Sequence, residues 1–117
     1  MDWIMPVPLH PKRLREREFN QSLLLAWELS HATGIPLQID TLQRVRWTRP
    51  QIELNAEERR KNVRKAFEVR HPDRVRDRNI LLVDDVFTTG ATVNECARVL
   101  KRAGAKAVNV LTVARMI

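Results

Sequence analysis

The stretch from Ile80 to Thr92, ILLVDDVFTTGAT, constrains the fold of this 117-residue chain more than any other. Four aliphatic residues run into two adjacent carboxylates, Asp84 and Asp85. A short turn with Thr88, Thr89 and Gly90 follows, and an amphipathic run begins at Ala91. The order reads as strand, phosphate-sized loop and helix start. In an open parallel sheet, ligands sit beyond the carboxyl ends of the strands, and the amides and positive dipole of a following helix attract anions. At that strand end Asp84 and Asp85 are acceptors suited to sugar hydroxyls or to a magnesium ion. Thr88, Thr89 and Thr92 offer hydroxyl donors, and Gly90 lets the backbone approach a phosphate closely or take positive φ. Acidic groups for hydroxyls beside a phosphate cradle point to a phosphorylated sugar. An Asp pair or a Thr cap alone would be ordinary at a strand end or helix start; their occurrence together and in order is what carries weight.

The rest of the chain reads as alternating strands and helices. Met1 to Val7 is a short apolar strand that Pro6, Pro8 and Pro11 are expected to stop by removing backbone donors. Lys12, Arg13, Arg15 and Arg17 then crowd one loop, and arginine forks match phosphate oxygens bidentately. A helix is predicted from Asn20 to Thr33, stopped by Gly34-Ile35-Pro36. Its leucines, with Ala26 and Trp27, make it apolar around most of its circumference, which predicts cover on more than one side. His31, near its C-terminal end, reads as a dipole partner.

Pro36 to Asp40 is a short strand candidate, and Thr41 to Pro50, with Arg44, Arg46, Trp47 and Arg49, is a basic loop. Asn55 caps a helix predicted to run to Lys65, with Glu58 completing a capping box. Phe67 to Val69 is a short strand and His71 to Arg78 a charged connection. The second long helix is predicted from Ala91 to Ala103, with Val93, Cys96, Ala97, Leu100 and Ala103 on its apolar stripe and Glu95 among the polar positions. Gly104 ends it, and Ala107 to Ala114 is a strand joined by a parallel crossover.

Composition narrows the function. Basic residues outnumber acidic ones 21 to 14, a net charge of +7, and residues 44–78 hold 12 basic and 6 acidic residues. A basic middle next to a phosphate site implies anionic partners, although a solvated basic face serves solubility equally well. No apolar run approaches 18 residues, so membrane insertion is not expected, and the single Cys96 makes no internal disulfide. A soluble, cytoplasmic chain is expected. The histidines and Cys96 lack metal-ligand spacing. With glycines only at 34, 90 and 104, no GxxxxGK[ST] loop can be written, which removes an ATPase reading of ILLVDD. A receiver domain would carry its acidic pair on an early strand.

ILLVDDVFTTGAT resembles the phosphoribosyl pyrophosphate (PRPP) signature of type I phosphoribosyltransferases, with Phe87 bulkier than the usual aliphatic residue. More particularly, PVPLHPKRLREREFNQ at residues 6–21 resembles the segment of ComF-type phosphoribosyltransferases, whose usual ending is Arg-Gly-Phe-Asn-Gln. Arg17, Phe19, Asn20 and Gln21 match it, while Glu18 stands in place of the glycine. Thr48, Gln51, Leu54, Arg59, Asn62, Ala66 and Phe67 hold further positions of that pattern, which extends through GAKAVNVLTVAR.

The resemblance implies one α/β domain over residues 1–117 with the type I phosphoribosyltransferase fold: an open, mostly parallel twisted sheet flanked by helices, with a flexible basic loop. It implies Asp84 and Asp85 as the catalytic carboxylates facing the ribose, and Thr88, Thr89, Gly90, Ala91 and Thr92 around the 5-phosphate. Arg13 and Arg17 would take the pyrophosphate, and Arg46, Thr48, Gln51 and Arg59 belong to the loop that closes over PRPP. Magnesium would come mainly through PRPP, not through a protein site. Proteins of this type usually carry an N-terminal zinc ribbon, and this chain starts almost at the first core strand, as a truncated product or a minimal form.

Thr88 stands where 6-oxopurine salvage members carry an Asp, which disfavours that substrate class. The expected activity is phosphoribosyl transfer from PRPP to an unidentified nucleophile in a setting of competence and DNA uptake. The alternative is a non-catalytic module that senses nucleotides or binds single-stranded DNA. Competence proteins or a second copy of the chain are further expected partners.

Overall fold

The computed structural model describes residues 1–8, 21–45, 55–58, 66–87 and 90–115. Three strands form a parallel sheet in the order β1-β4-β5: β1 is Trp3–Pro6, β4 is Asn79–Phe87 and β5 is Ala107–Arg115. β1 pairs with β4 from Trp3↔Ile80 to Pro6↔Val83, and β4 pairs with β5 from Asn79↔Ala107 to Phe87↔Arg115. Asp2 ties the start of this register, its main-chain N–H donating to the Asn79 carbonyl and its carboxylate accepting the Asn79 N–H, both at 2.7 Å. A second, two-stranded antiparallel ribbon joins β2, Leu42–Arg44, to β3, Phe67–Val69.

The sheet is covered on both faces because its central strand is apolar in both directions. Side chains alternate along a strand, so Ile80 and Leu82 point one way and Leu81 and Val83 the other. Helix α1, Gln21–Thr33, covers the second face, where Ile4, Ala26 and Val83 pack with Leu25, Leu29, Ile35 and Leu81. Helix α2, Ala91–Arg102, and the β2–β3 ribbon cover the first, bringing Val93, Cys96, Leu100, Leu42 and Phe67 against Met5, Ile80 and Leu82. β4, α2 and β5 thus form a strand-helix-strand unit with parallel strands, as the pattern predicts. The helix ends in a Schellman arrangement: the Ala105 N–H donates to the Leu100 carbonyl and the Gly104 N–H to that of Lys101. Gly104 takes φ 109° there, a conformation open to glycine at little cost.

The structure changes several expectations. β1 is shorter than Met1 to Val7: it ends at Pro6, which pairs opposite Val83 as the last strand residue, and one further bond runs from the Val7 N–H to the Val83 carbonyl at 2.9 Å. A proline at a strand terminus removes only a donor the ladder can skip. Pro36 to Asp40 yields a single parallel bridge, Leu37 to Ile4, in place of a strand. Part of the predicted basic loop from Thr41 is strand β2, continued by the Val45 N–H to the Ala66 carbonyl and the Arg70 N–H to that of Thr41. Helix α1 is not covered on several sides by the described residues: Leu24 and Trp27 are 45% and 49% exposed. Its exposed His31 stacks on Trp27 at 4.0 Å between ring centroids. Glu95, expected on the polar side of α2, is 8% exposed and takes its charge partner from Arg98, whose Nε lies 2.6 Å from Oε1. The capping box forms as expected, with the Glu58 N–H donating to Asn55 Oδ1 at 2.9 Å and the Asn55 N–H to Glu58 Oε1 at 3.1 Å.

Leu82 has no exposed surface and lies in the cluster that joins α2 to the sheet. Leu82→Ala is therefore expected to lower the unfolding free energy by about 2–5 kcal/mol, read as a lower urea midpoint at unchanged slope.

Candidate functional site

The site is built where the sheet runs unevenly. β1 ends at Pro6 opposite Val83, whereas β4 continues through Asp84 and Asp85 to Phe87 beside β5. The acidic pair is thus not at the end of its own strand, as expected from the sequence, but just past the carboxyl end of the neighbouring strand. On that side β4 has no strand partner beyond Val83 among the described residues, so the carboxylates face the first turn of α1 instead. Ser22, 3% exposed, stands there. Its hydroxyl lies 3.3 Å from Asp84 Oδ1 and 3.5 Å from Asp85 Oδ1, and it accepts the Asp85 main-chain N–H at 3.2 Å.

Asp84 is 8% exposed and Asp85 half-buried. Burial is the main reason that the Asp84 carboxyl is raised from 3.8 to about 7; the Asp85 charge and a hydrogen bond between the two carboxyls add to it. The Asp85 amide and the Ser22 hydroxyl act in the opposite direction. Near neutral pH the pair therefore holds a proton, as two close carboxylates do when one cannot ionise beside the other. Such a pair offers acceptors for hydroxyls and can release its proton when a ligand with donors or positive charge arrives.

Five residues further on, Gly90 opens α2. It is buried, takes φ 84° and ψ 1° as the N-cap, and its carbonyl accepts the Asn94 N–H at 2.8 Å. This is the positive φ expected of it, and no side chain caps the helix at this position. Ala91 is buried and Thr92 half-buried in the first turn, whose amides lack intrahelical acceptors. The strand thus delivers the carboxylates, and a helix N-terminus follows a few residues later in the chain. Thr88 and Thr89, Arg13 and Arg17, and Arg46, Thr48, Gln51 and Arg59 lie outside the described residues.

Behind the pair, Cys96 on α2 has no exposed surface. Burial pushes its thiol well above the ordinary value, against the lowering effect of the Arg44 guanidinium; the charges of Asp84 and Glu95 raise it further. A thiol in that setting does not supply a thiolate nucleophile, in keeping with its place on the apolar stripe. Arg44 itself lies over the Phe67 ring, 4.6 Å from its centroid. Ser22 was not singled out from the sequence. Its only local signal is its position in the first turn of a helix, and the contact that gives it meaning spans 62 residues.

Because Asp84 binds its proton more tightly in the folded chain, the folded state holds more protons than the unfolded one between pH 3.8 and about 7. Stability from this group is therefore expected to fall as pH rises through that window. Asp84→Asn should flatten the dependence and stabilise the fold at pH 8 by on the order of 4 kcal/mol, each tenfold in a protonation equilibrium being worth about 1.4 kcal/mol. Thermal melts of both proteins from pH 4 to 8 measure it; parallel pH profiles would refute it.

Comparison with known proteins agrees with this arrangement. The chain is 41% identical over 116 residues to the DNA utilization protein YhgH of Salmonella typhimurium, covering 99% of this chain and 50% of that protein. It is 38% identical over 113 residues to competence protein F of Haemophilus influenzae, covering 96% and 49%. The chain thus spans about half the length of the curated relatives it matches. The fold is similar to that of purine phosphoribosyltransferase from Pyrococcus horikoshii, with a TM-score of 0.59 and 20% identity over 97% of this chain and 61% of that one. The model of the phosphoribosyl transferase domain matches residues 20–116 of the chain: the chain belongs to the phosphoribosyl transferase domain family.

Proposed function

We propose that this domain binds PRPP as its magnesium complex and transfers the phosphoribosyl group to a nucleophile with release of pyrophosphate. The observation that carries the reading is the acidic pair, held beyond the end of β1 and followed five residues later by the Gly90 helix start. Asp84 and Asp85 receive the ribose hydroxyls, residues 88–92 surround the 5-phosphate, and Arg13 and Arg17 take the diphosphate. Arg46, Thr48, Gln51 and Arg59 belong to the segment that closes over the ligand and excludes water. Magnesium enters chelated by the diphosphate; among the described residues no group of three or more His, Cys, Asp or Glu side chains is placed to hold a metal ion.

In the reaction the bond from the anomeric carbon to the diphosphate oxygen breaks, its electron pair leaving with pyrophosphate. The nucleophile bonds to the same carbon through an oxocarbenium-like state. The chain's contribution is position and charge: carboxylates fix the sugar and place negative charge near the developing cation. The names of the relatives, DNA utilization protein and competence protein, support a role in the use of DNA or its nucleotides, and this reading puts that role in the cytoplasm. No helix among the described residues is long and apolar enough to cross a membrane.

A second reading is a non-catalytic module that binds nucleotides or single-stranded DNA, alone or with competence proteins or a second copy of the chain. Arg70, Arg74, Arg76 and Arg78 are all exposed on the connection before β4, which favours it. Phosphate contacts of this kind weaken steeply with salt.

Calorimetry separates the two. Magnesium-dependent PRPP binding is expected in the wild type, with each of Asp84→Asn and Asp85→Asn weakening it by about 10- to 100-fold, the worth of a hydrogen bond to a charged group. Failure of the wild type to bind PRPP would overturn the first reading. Salt-sensitive binding of a single-stranded oligonucleotide, reduced in a variant with Arg70, Arg76 and Arg78 neutralised, would establish the second.

A further inference from the structure

The acidic pair is organised by a residue from the opposite end of the chain. Ser22 is 3% exposed, and its Oγ meets three atoms of β4 at once: Asp84 Oδ1 at 3.3 Å, Asp85 Oδ1 at 3.5 Å and the Asp85 main-chain nitrogen at 3.2 Å. A hydroxyl carries one proton and two lone pairs. Accepting the Asp85 N–H fixes where Oγ sits, and its proton then points to the two carboxylates. This is the geometry in which an incoming sugar hydroxyl would also be received, an O–H donating into the oxygens of both acids.

Resting on the PRPP reading, we propose that Ser22 is the positioning residue of the acidic pair: its hydroxyl, seated against both carboxylates and the Asp85 amide, holds Asp84 and Asp85 in the arrangement that receives the ribose hydroxyls. Several features agree with a positioning role over mere packing. Ser22 is one of two fully buried positions on α1, the other being Ala26, which belongs to the apolar cluster with Ile4 and Val83. A serine in the first turn of a helix ordinarily turns its hydroxyl to nearby backbone amides; this one reaches across to β4. β1 ends at Pro6, so the strand that would otherwise flank the pair is replaced by the start of α1. Removing Ser22 takes away the hydroxyl that both carboxylates contact.

The charged groups around Asp84 come from three elements. Asp85 stands beside it on β4, Glu95 on α2 acts together with Asp84 on the buried Cys96, and Arg44 on β2 opposes both there. Helix α1 contributes no acidic residue in its first turn. Ser22 is therefore the neutral group through which α1 acts on the pair. Its hydrogen bond favours the ionised form of Asp84, so its removal raises the pH at which that carboxyl loses its proton.

The test uses Ser22→Ala and Ser22→Thr in the chain as it stands. Ser22→Ala is expected to weaken magnesium-PRPP binding about tenfold and to move the midpoint of its pH dependence upward, while Ser22→Thr, which keeps the hydroxyl, binds with the wild-type midpoint. A merely structural serine would lower the melting temperature without moving that midpoint. The carboxyl carbon of Asp84, titrated by NMR in the ligand-free protein, gives an independent reading: an upward shift in Ser22→Ala supports the proposal even if the wild type binds no PRPP, in which case only the substrate assignment fails. An unmoved Asp84 titration in a folded Ser22→Ala overturns it. So does a Ser22→Thr that melts like the wild type but shares the alanine variant's loss.

Discussion

Two carboxylates on consecutive residues of a buried strand are costly to keep together, and the structure around them is arranged by that cost. Asp84 is almost wholly removed from water and sits beside a like charge, so its proton stays bound to about pH 7. The opposing contributions are local and polar: the Asp85 amide and the Ser22 hydroxyl. The apolar packing of Leu81, Leu82 and Val83 just before the pair supplies the stability that such a site consumes.

The uneven ends of the sheet turn that constraint into a site. If β1 ran as far as β4, its backbone would pair with Asp84 and Asp85 and close the space beside them. β1 stops at Pro6, with one further ladder bond from Val7, and the first turn of α1 stands beside the pair through Ser22. On the opposite side β5 accompanies β4 to Phe87. Helix α2 then begins at a left-handed glycine without a side-chain cap. The acidic pair and the helix start at Gly90 thus follow one another on β4 and α2.

Behind the site lies a second polar layer that belongs to the core. Glu95 is buried on α2 and paired with Arg98 one turn along, and Arg44 rests on Phe67 in the β2–β3 ribbon. Both act on the buried Cys96 together with Asp84. The ribbon and α2 thus place opposite charges behind the acidic pair, while α1 places a hydroxyl in front of it. On the outer side of α1, Leu24 and Trp27 remain exposed among the described residues. A helix that is apolar around most of its circumference was read as covered on several sides, and periodicity alone does not say which of two apolar faces the rest of the chain will meet.

Local sequence determined what depends on near neighbours. The run Ile80–Val83, the amphipathic stripe of α2, the Schellman ending at Gly104 and the Asn55–Glu58 capping box all form from residues a few positions apart, and each was legible. So was the membership of Asp84, Asp85 and Gly90 in one strand-turn-helix unit, and with it the family. Tertiary structure alone decided what depends on pairing across the chain: that β1 stops before the carboxylates, that Leu37 adds only a bridge, that Glu95 is buried, and that Ser22 reaches Asp84 and Asp85. The physical reason is range. Propensity and hydrophobic pattern act within a turn or a strand, whereas the contact that organises the acidic pair joins residues 62 and 63 positions apart and exists only once helix and sheet have packed.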